Sequence, residues 1–229
     1  MSEASLKVRP TALSVKRGTP RVPLVRTPRV TVLFADLRGY TAMAERLPPA
    51  AIVPLLDEYF EVLASATTLH GGRIFHMAGD GMMAGFGVGA HASPDDGACE
   101  ALAAGHAMLQ QFAALATRWR EELAIEAGVG VGLHQGEVAM GLLGPPGMKT
   151  MTLVGDTVNV AARLCSRARA GEVLLSCTVA SALDIDDGAR EMYIGPIPVL
   201  QLPQFNLRGR SAPLDIWCVP ATERVAVLT

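Results

Sequence analysis

The segment Val30-Thr-Val-Leu-Phe-Ala35 constrains this chain's fold more than any other. It is a β-rich apolar run that ends at Asp36 and a Gly39 turn, so it reads as a strand buried in a core. The residues that follow supply its cover. Apolar side chains at Ile52, Leu55, Leu56, Tyr59, Phe60, Leu63 and Ala66 recur at three- and four-residue steps, the mark of a helix packed on a sheet, and Gly71-Gly72 ends it. Arg73–Met77 and Met82–Phe86 predict two short strands around Gly79-Asp80-Gly81, turn chemistry suited to a tight hairpin. Pro94-Asp-Asp opens an Ala-rich helix to about Glu122. Strands are expected at 124–133, 137–143 and 150–154, a helix from Asp156 to about Ala168, a strand at 172–175, and shorter strands that include 206–208 and 214–219. Strands alternating with helices, with several hairpins among them, predict an α/β sandwich with a mixed sheet rather than an all-parallel one.

Half of the 229 residues are hydrophobic and 18% are charged, which suits one core and excludes a disordered or fibrous chain. A net charge of −2 provides no general attraction for nucleic acid or anionic lipid, so a polyanionic partner has to be bound locally. The most apolar stretch, Leu123 to Gly144, is broken by Glu126, His134, Gln135, Glu137 and several glycines, so it does not read as a membrane span. Cys99, Cys165, Cys177 and Cys218 show no Cys-x-x-Cys spacing and are expected as free, mostly buried thiols. No secretory apolar block opens the chain, and a cytoplasmic location is expected.

Residues 1–28 carry Pro10, Pro20, Pro23 and Pro28 among dispersed basic residues, with no helical or strand period. They read as a flexible arm or linker ahead of a folded domain at 29–229. A nucleic-acid-binding tail is the weaker alternative, since no aromatics are interleaved with the basic residues.

Asp36 at a strand end and Asp80 at a hairpin tip stand where carboxylates can leave a core and meet a ligand, although aspartate is common at both positions for backbone reasons alone. Asn159 and Arg163 lie four apart on a predicted helix and so share a face. Asp156, at the start of that helix, reads as an N-cap. Gly128-x-Gly130-x-Gly132 lacks the spacing and the strand–turn–helix setting of a dinucleotide loop.

Taken in order, Phe34-Ala-Asp36-Leu-Arg-Gly-Tyr-Thr41, Gly79-Asp80-Gly-Met-Met-Ala-Gly-Phe-Gly87, Gly132-Leu-His-Gln-Gly-Glu137, Val154-Gly-Asp-Thr-Val-Asn159-Val-Ala-Ala-Arg163-Leu, Leu207-Arg208-Gly and Pro213 resemble the motifs of class III nucleotidyl cyclase catalytic domains. The resemblance covers about residues 29 to 219 and implies a ferredoxin-like mixed sheet flanked by helices. It implies conversion of ATP to 3′,5′-cyclic AMP and pyrophosphate, with two divalent cations, Mg²⁺ or Mn²⁺, on Asp36 and Asp80. One ion would activate the ribose 3′ oxygen and the other would neutralise the triphosphate. Gly39, Tyr40 and Thr41 would offer backbone N–H groups to phosphate. Asn159 would orient the ribose, and Arg163 would stabilise charge on the α-phosphate. Arg208 either meets the triphosphate or is a solvated surface arginine. The resemblance also implies a head-to-tail homodimer, with the carboxylates of one subunit facing the purine contacts, Asn and Arg of the other.

At the base-recognising positions, adenylyl cyclases usually have a Lys four residues before the second metal Asp, where this chain has His76. Seven residues before the helix Asn stands Thr152, as in a bacterial subgroup that uses Thr and includes bicarbonate-responsive members. His76 can donate to adenine N1, accept from guanine N1–H, or pack without touching a ligand. Three readings follow: an adenylate cyclase first, a guanylate cyclase second, and a nucleotide-binding pseudoenzyme third.

Overall fold

The computed structural model describes residues 25–89, 95–185, 191–205 and 213–220. The N-terminal arm through residue 24, and Pro94, Asn206, Leu207 and Arg208, lie outside the described residues.

The order of elements is β1 (Arg29–Arg38), α1 (Tyr40–Arg46), α2 (Pro49–Leu69), β2 (Arg73–Ala78), β3 (Gly81–Phe86), α3 (Ala98–Leu123), β4 (Gly128–Glu137), β5 (Ala139–Leu143), β6 (Thr150–Val154), α4 (Asp156–Arg167), β7 (Glu172–Ser176), α5 (Cys177–Ala182), β8 (Glu191–Ile194), β9 (Ile197–Phe205) and β10 (Leu214–Pro220). Eight strands form one sheet in the order β2-β3-β1-β4-β7-β10-β9-β8. The β4–β7 pair is parallel and the other pairs are antiparallel, so the sheet is mixed, as the α/β alternation predicts. β5 and β6 form a separate two-stranded ribbon.

β1 is central because both of its faces are apolar. Leu33, Ala35 and Leu37 enter the main core with α2 and α3, while Val30 and Val32 on the opposite face pack with Met140, Leu153 and Ala161 of the ribbon and α4. Burying such a side chain is worth about 1.5–3 kcal/mol, so both layers pull this strand inward. Asp36 and Arg38 continue the second parity and therefore emerge on the α4 face. The helix-spaced residues of α2 behave as expected: Ile52, Leu55, Tyr59, Leu63 and Ala66 are buried, and Leu56 and Phe60 pack against them.

Several boundaries differ from the sequence expectation. β4 is one strand to Glu137 because it pairs with β1 along the whole length of both, from Arg29↔Glu137 to Arg38↔Gly128. α3 begins at Ala98, after Gly97 at φ 82°, while the Asp95 carboxylate accepts from the amides of Gly97 and Cys99. Asp156 is the first residue of α4 rather than its cap; Gly155 takes the cap position. α5 carries no apolar period long enough to have been read from sequence. The four cysteines are free, with Cys165 and Cys218 buried, Cys177 half-buried and Cys99 exposed. Among the described residues, no helix is long and apolar enough to cross a membrane.

Candidate active site

Asp36 occupies a slot made by two glycines, since its register partners are Gly81 on β3 and Gly130 on β4. The same β1–β3 ladder brings the hairpin turn beside it. Leu37 N–H donates to Asp80 O at 3.3 Å, and a Cβ built on Gly81 would lie 3.9 Å from Asp36 Oδ1. The two carboxylates are thus neighbours. Burial, and after it the negative charge of Asp36 and a side-chain hydrogen bond between the two, raise the proton affinity of Asp80. The positive charge of Arg38 offsets this only in part.

Three further residues, none expected from sequence as part of a site, complete this group. The buried Tyr59 on α2 donates its hydroxyl to Asp80 O at 3.1 Å. Burial first, then the charge of Asp36, keep that phenol protonated. The Arg38 guanidinium contacts Asp36 Oδ2 and the carbonyl of Cys165, and its Nε donates to Ala168 O at 2.9 Å. Cys165 is pushed up to about 12 by burial, so it sits there as a neutral thiol. Tyr59 was legible as a packing residue, but its hydroxyl needed a partner once buried. The available signal for Arg38 was its parity with Asp36.

Gly39 opens α1 with φ 90°, and a Cβ there would stand 2.2 Å from Glu126 O, so glycine is required twice over. Tyr40 and Thr41 form the first turn of α1 and are half-buried and exposed respectively.

His76 is exposed on β2, opposite Met83 of β3 and beside a register irregularity. Thr152 is half-buried on β6, opposite Gly141. β2 and β6 pack on one another, so the structure brings together the strands that carry these two residues.

Asn159 is exposed and Arg163 half-buried on α4, whose buried face is Thr157, Val160, Ala161, Leu164 and Cys165. At about 100° per residue, Asn159 and Arg163 share the side away from that stripe, while Cys165 on the stripe meets Arg38. The helix therefore turns Asn159 and Arg163 off its own sheet and away from the carboxylates of its own chain. The sheet approach explains one further glycine: a Cβ on Gly132 would lie 2.1 Å from Cys165 N, so only glycine lets α4 lie this close to β4.

Asp36 and Asp80 can supply oxygen donors to a hard cation. Among the described residues, no group of three or more His, Cys, Asp or Glu side chains is gathered for a metal, so the donor set is two carboxylates.

The fold has known counterparts. The adenylyl cyclase CyaB from P. aeruginosa superposes with a TM-score of 0.77 at 28% identity, covering 87% of this chain and 97% of that one. The guanylyl cyclase Cya2 superposes with a TM-score of 0.70 at 30% identity, covering 86% and 93%. An adenylate cyclase of Anabaena cylindrica is 36% identical over 146 residues, which are 60% of this chain and 27% of that protein. The chain thus spans about a quarter of the length of the curated relatives it matches. The family model described as Adenylate and Guanylate cyclase catalytic domain matches residues 22–203, and the chain belongs to that family.

Proposed function

We propose that this domain is an adenylate cyclase, forming 3′,5′-cyclic AMP and pyrophosphate from ATP at a site shared by two head-to-tail copies of the chain. The observation that carries this reading is the Asp36–Asp80 pair, which the β1–β3 ladder brings side by side at the end of the sheet. The pair fits Mg²⁺ or Mn²⁺, since such ions commonly take one or two protein carboxylates and complete their shell with substrate phosphates and water. When bound, two such ions lower the pKa of the ribose 3′-hydroxyl and neutralise the triphosphate.

The chain's own residues do the rest. Asp36 and Asp80 hold the cations. The Gly39–Thr41 turn, continuous with Asp36, offers backbone donors to phosphate oxygens, and Arg208 is the proposed cation for the triphosphate. From the second subunit, Asn159 holds the ribose and Arg163 meets the charge that builds on the α-phosphate. His76 and Thr152 of that subunit contact the purine edge. The outward face of α4 supports this division, because a helix that turns Asn159 and Arg163 off its own sheet presents them to another molecule. The free thiols suit a reducing cytoplasm, where ATP is also available.

The similarity to the guanylyl cyclase Cya2 makes GTP the second candidate substrate. Purified protein incubated with ATP or GTP, each with Mg²⁺ or Mn²⁺, separates the readings by chromatography of the products. Cyclic AMP as the main product is expected. Cyclic GTP-derived product in excess would reassign the substrate, and no cyclic product with either would leave a nucleotide-binding pseudoenzyme.

A further inference from the structure

We propose that Arg38 is a positioning residue, which locks the Asp36 carboxylate to the C-terminal end of α4. Its guanidinium reaches three acceptors at once: Asp36 Oδ2, the Cys165 carbonyl and, from Nε at 2.9 Å, the Ala168 carbonyl. The two carbonyls lie at the C-terminal end of α4, where the partial charge is negative, and the Cys165 carbonyl also accepts from Ala168 N–H at 3.1 Å. One planar cation thus answers a carboxylate and a helix end together. A lysine, as a point charge on a flexible stem, cannot reproduce that fork.

A second observation supports the assignment independently. A Cβ built on Gly130 would lie 2.7 Å from both Nε and Nη2 of Arg38. Gly130 is also the register partner of Asp36, so β4 omits a side chain at the place where the guanidinium crosses toward α4. Through this crossing, Arg38 sets the carboxylate against the buried face of α4 of its own chain, the side opposite Asn159 and Arg163. The inference rests on reading Asp36 as a metal ligand.

Arg38→Lys keeps the charge and loses the fork, whereas Arg38→Gln loses the charge. Each is measured for turnover, for KM, for Mn²⁺ binding without nucleotide by electron paramagnetic resonance, and for thermal unfolding. Arg38→Lys should remain folded and bind Mn²⁺ much as the parent does, with KM little changed. Its kcat should fall by about tenfold or more, as ångström-scale misplacement of catalytic groups does. Arg38→Gln should bind Mn²⁺ more tightly than the parent, because a cation facing Asp36 has gone. Parental turnover in Arg38→Lys, or unchanged or weaker Mn²⁺ binding in Arg38→Gln, overturns the proposal. Asp36→Asn serves as the control: if it binds Mn²⁺ as the parent does, the metal reading fails, whatever the Arg38 variants show.

Discussion

The Tyr59 hydroxyl donates to the backbone carbonyl of Asp80 at 3.1 Å, tying a core helix to the turn that presents a carboxylate. Tyr59→Phe keeps the ring and its edge-on contact with Phe112 while removing that bond. The carbonyl retains Leu37 N–H as a donor, so the loss should sit at the low end of the roughly 0.5–1.5 kcal/mol that such a bond contributes. Thermal unfolding should move slightly. The Mn²⁺ concentration for half-maximal cyclase activity should rise, because the turn carrying Asp80 is freed. An unchanged metal requirement would show that Tyr59 serves packing alone.

Asp36→Ala and Asp80→Ala should each nearly abolish cyclic nucleotide formation while the protein stays folded, since neither carboxylate belongs to the apolar clusters that form the core. Asp80 adds a pH dependence. Its folded-state proton affinity is raised, by burial first and then by Asp36, so its ionisation opposes folding. Its protonated form is tolerated at acid pH, and stability is lost as pH rises through the elevated folded value. Metal-free Asp80→Asn should therefore unfold at a higher temperature than the parent at neutral pH, with the gap closing on acidification. A gap that widened in acid would contradict the carboxylate pairing.

A shared site predicts complementation. Asp36→Ala and Arg163→Ala proteins should each be inactive, yet subunit exchange should produce heterodimers with one intact site and recover activity. If exchange is demonstrated by mass and activity does not return, both residue sets act within one chain.

His76 stands where related enzymes use Lys, and it is exposed on β2. Hydrogen bonds to a charged partner contribute about 1.5–3 kcal/mol against about 0.5–1.5 for a neutral one, so His76→Lys should raise the ratio of ATP to GTP specificity constants roughly ten-fold. Competition kinetics with both nucleotides measures the ratio directly. No change would place His76 away from the base.

The elements of this protein were legible wherever the information is local. Apolar residues on both faces of β1 specify a central strand, the steps from Ile52 to Ala66 specify α2, and the four-residue spacing of Asn159 and Arg163 places them on one face of α4. The motifs likewise named Asp36 and Asp80 as a pair. Backbone periodicity could carry this much because it depends on neighbours within a turn or a strand. Tertiary structure decided what meets across the sheet. The order β3-β1-β4 sets Asp36 between Gly81 and Gly130, α2 delivers the Tyr59 hydroxyl beneath Asp80, and Arg38 reaches a helix end 127 residues away at Cys165. Those contacts follow from strand order and close backbone approach, physical quantities that no local period in the chain encodes.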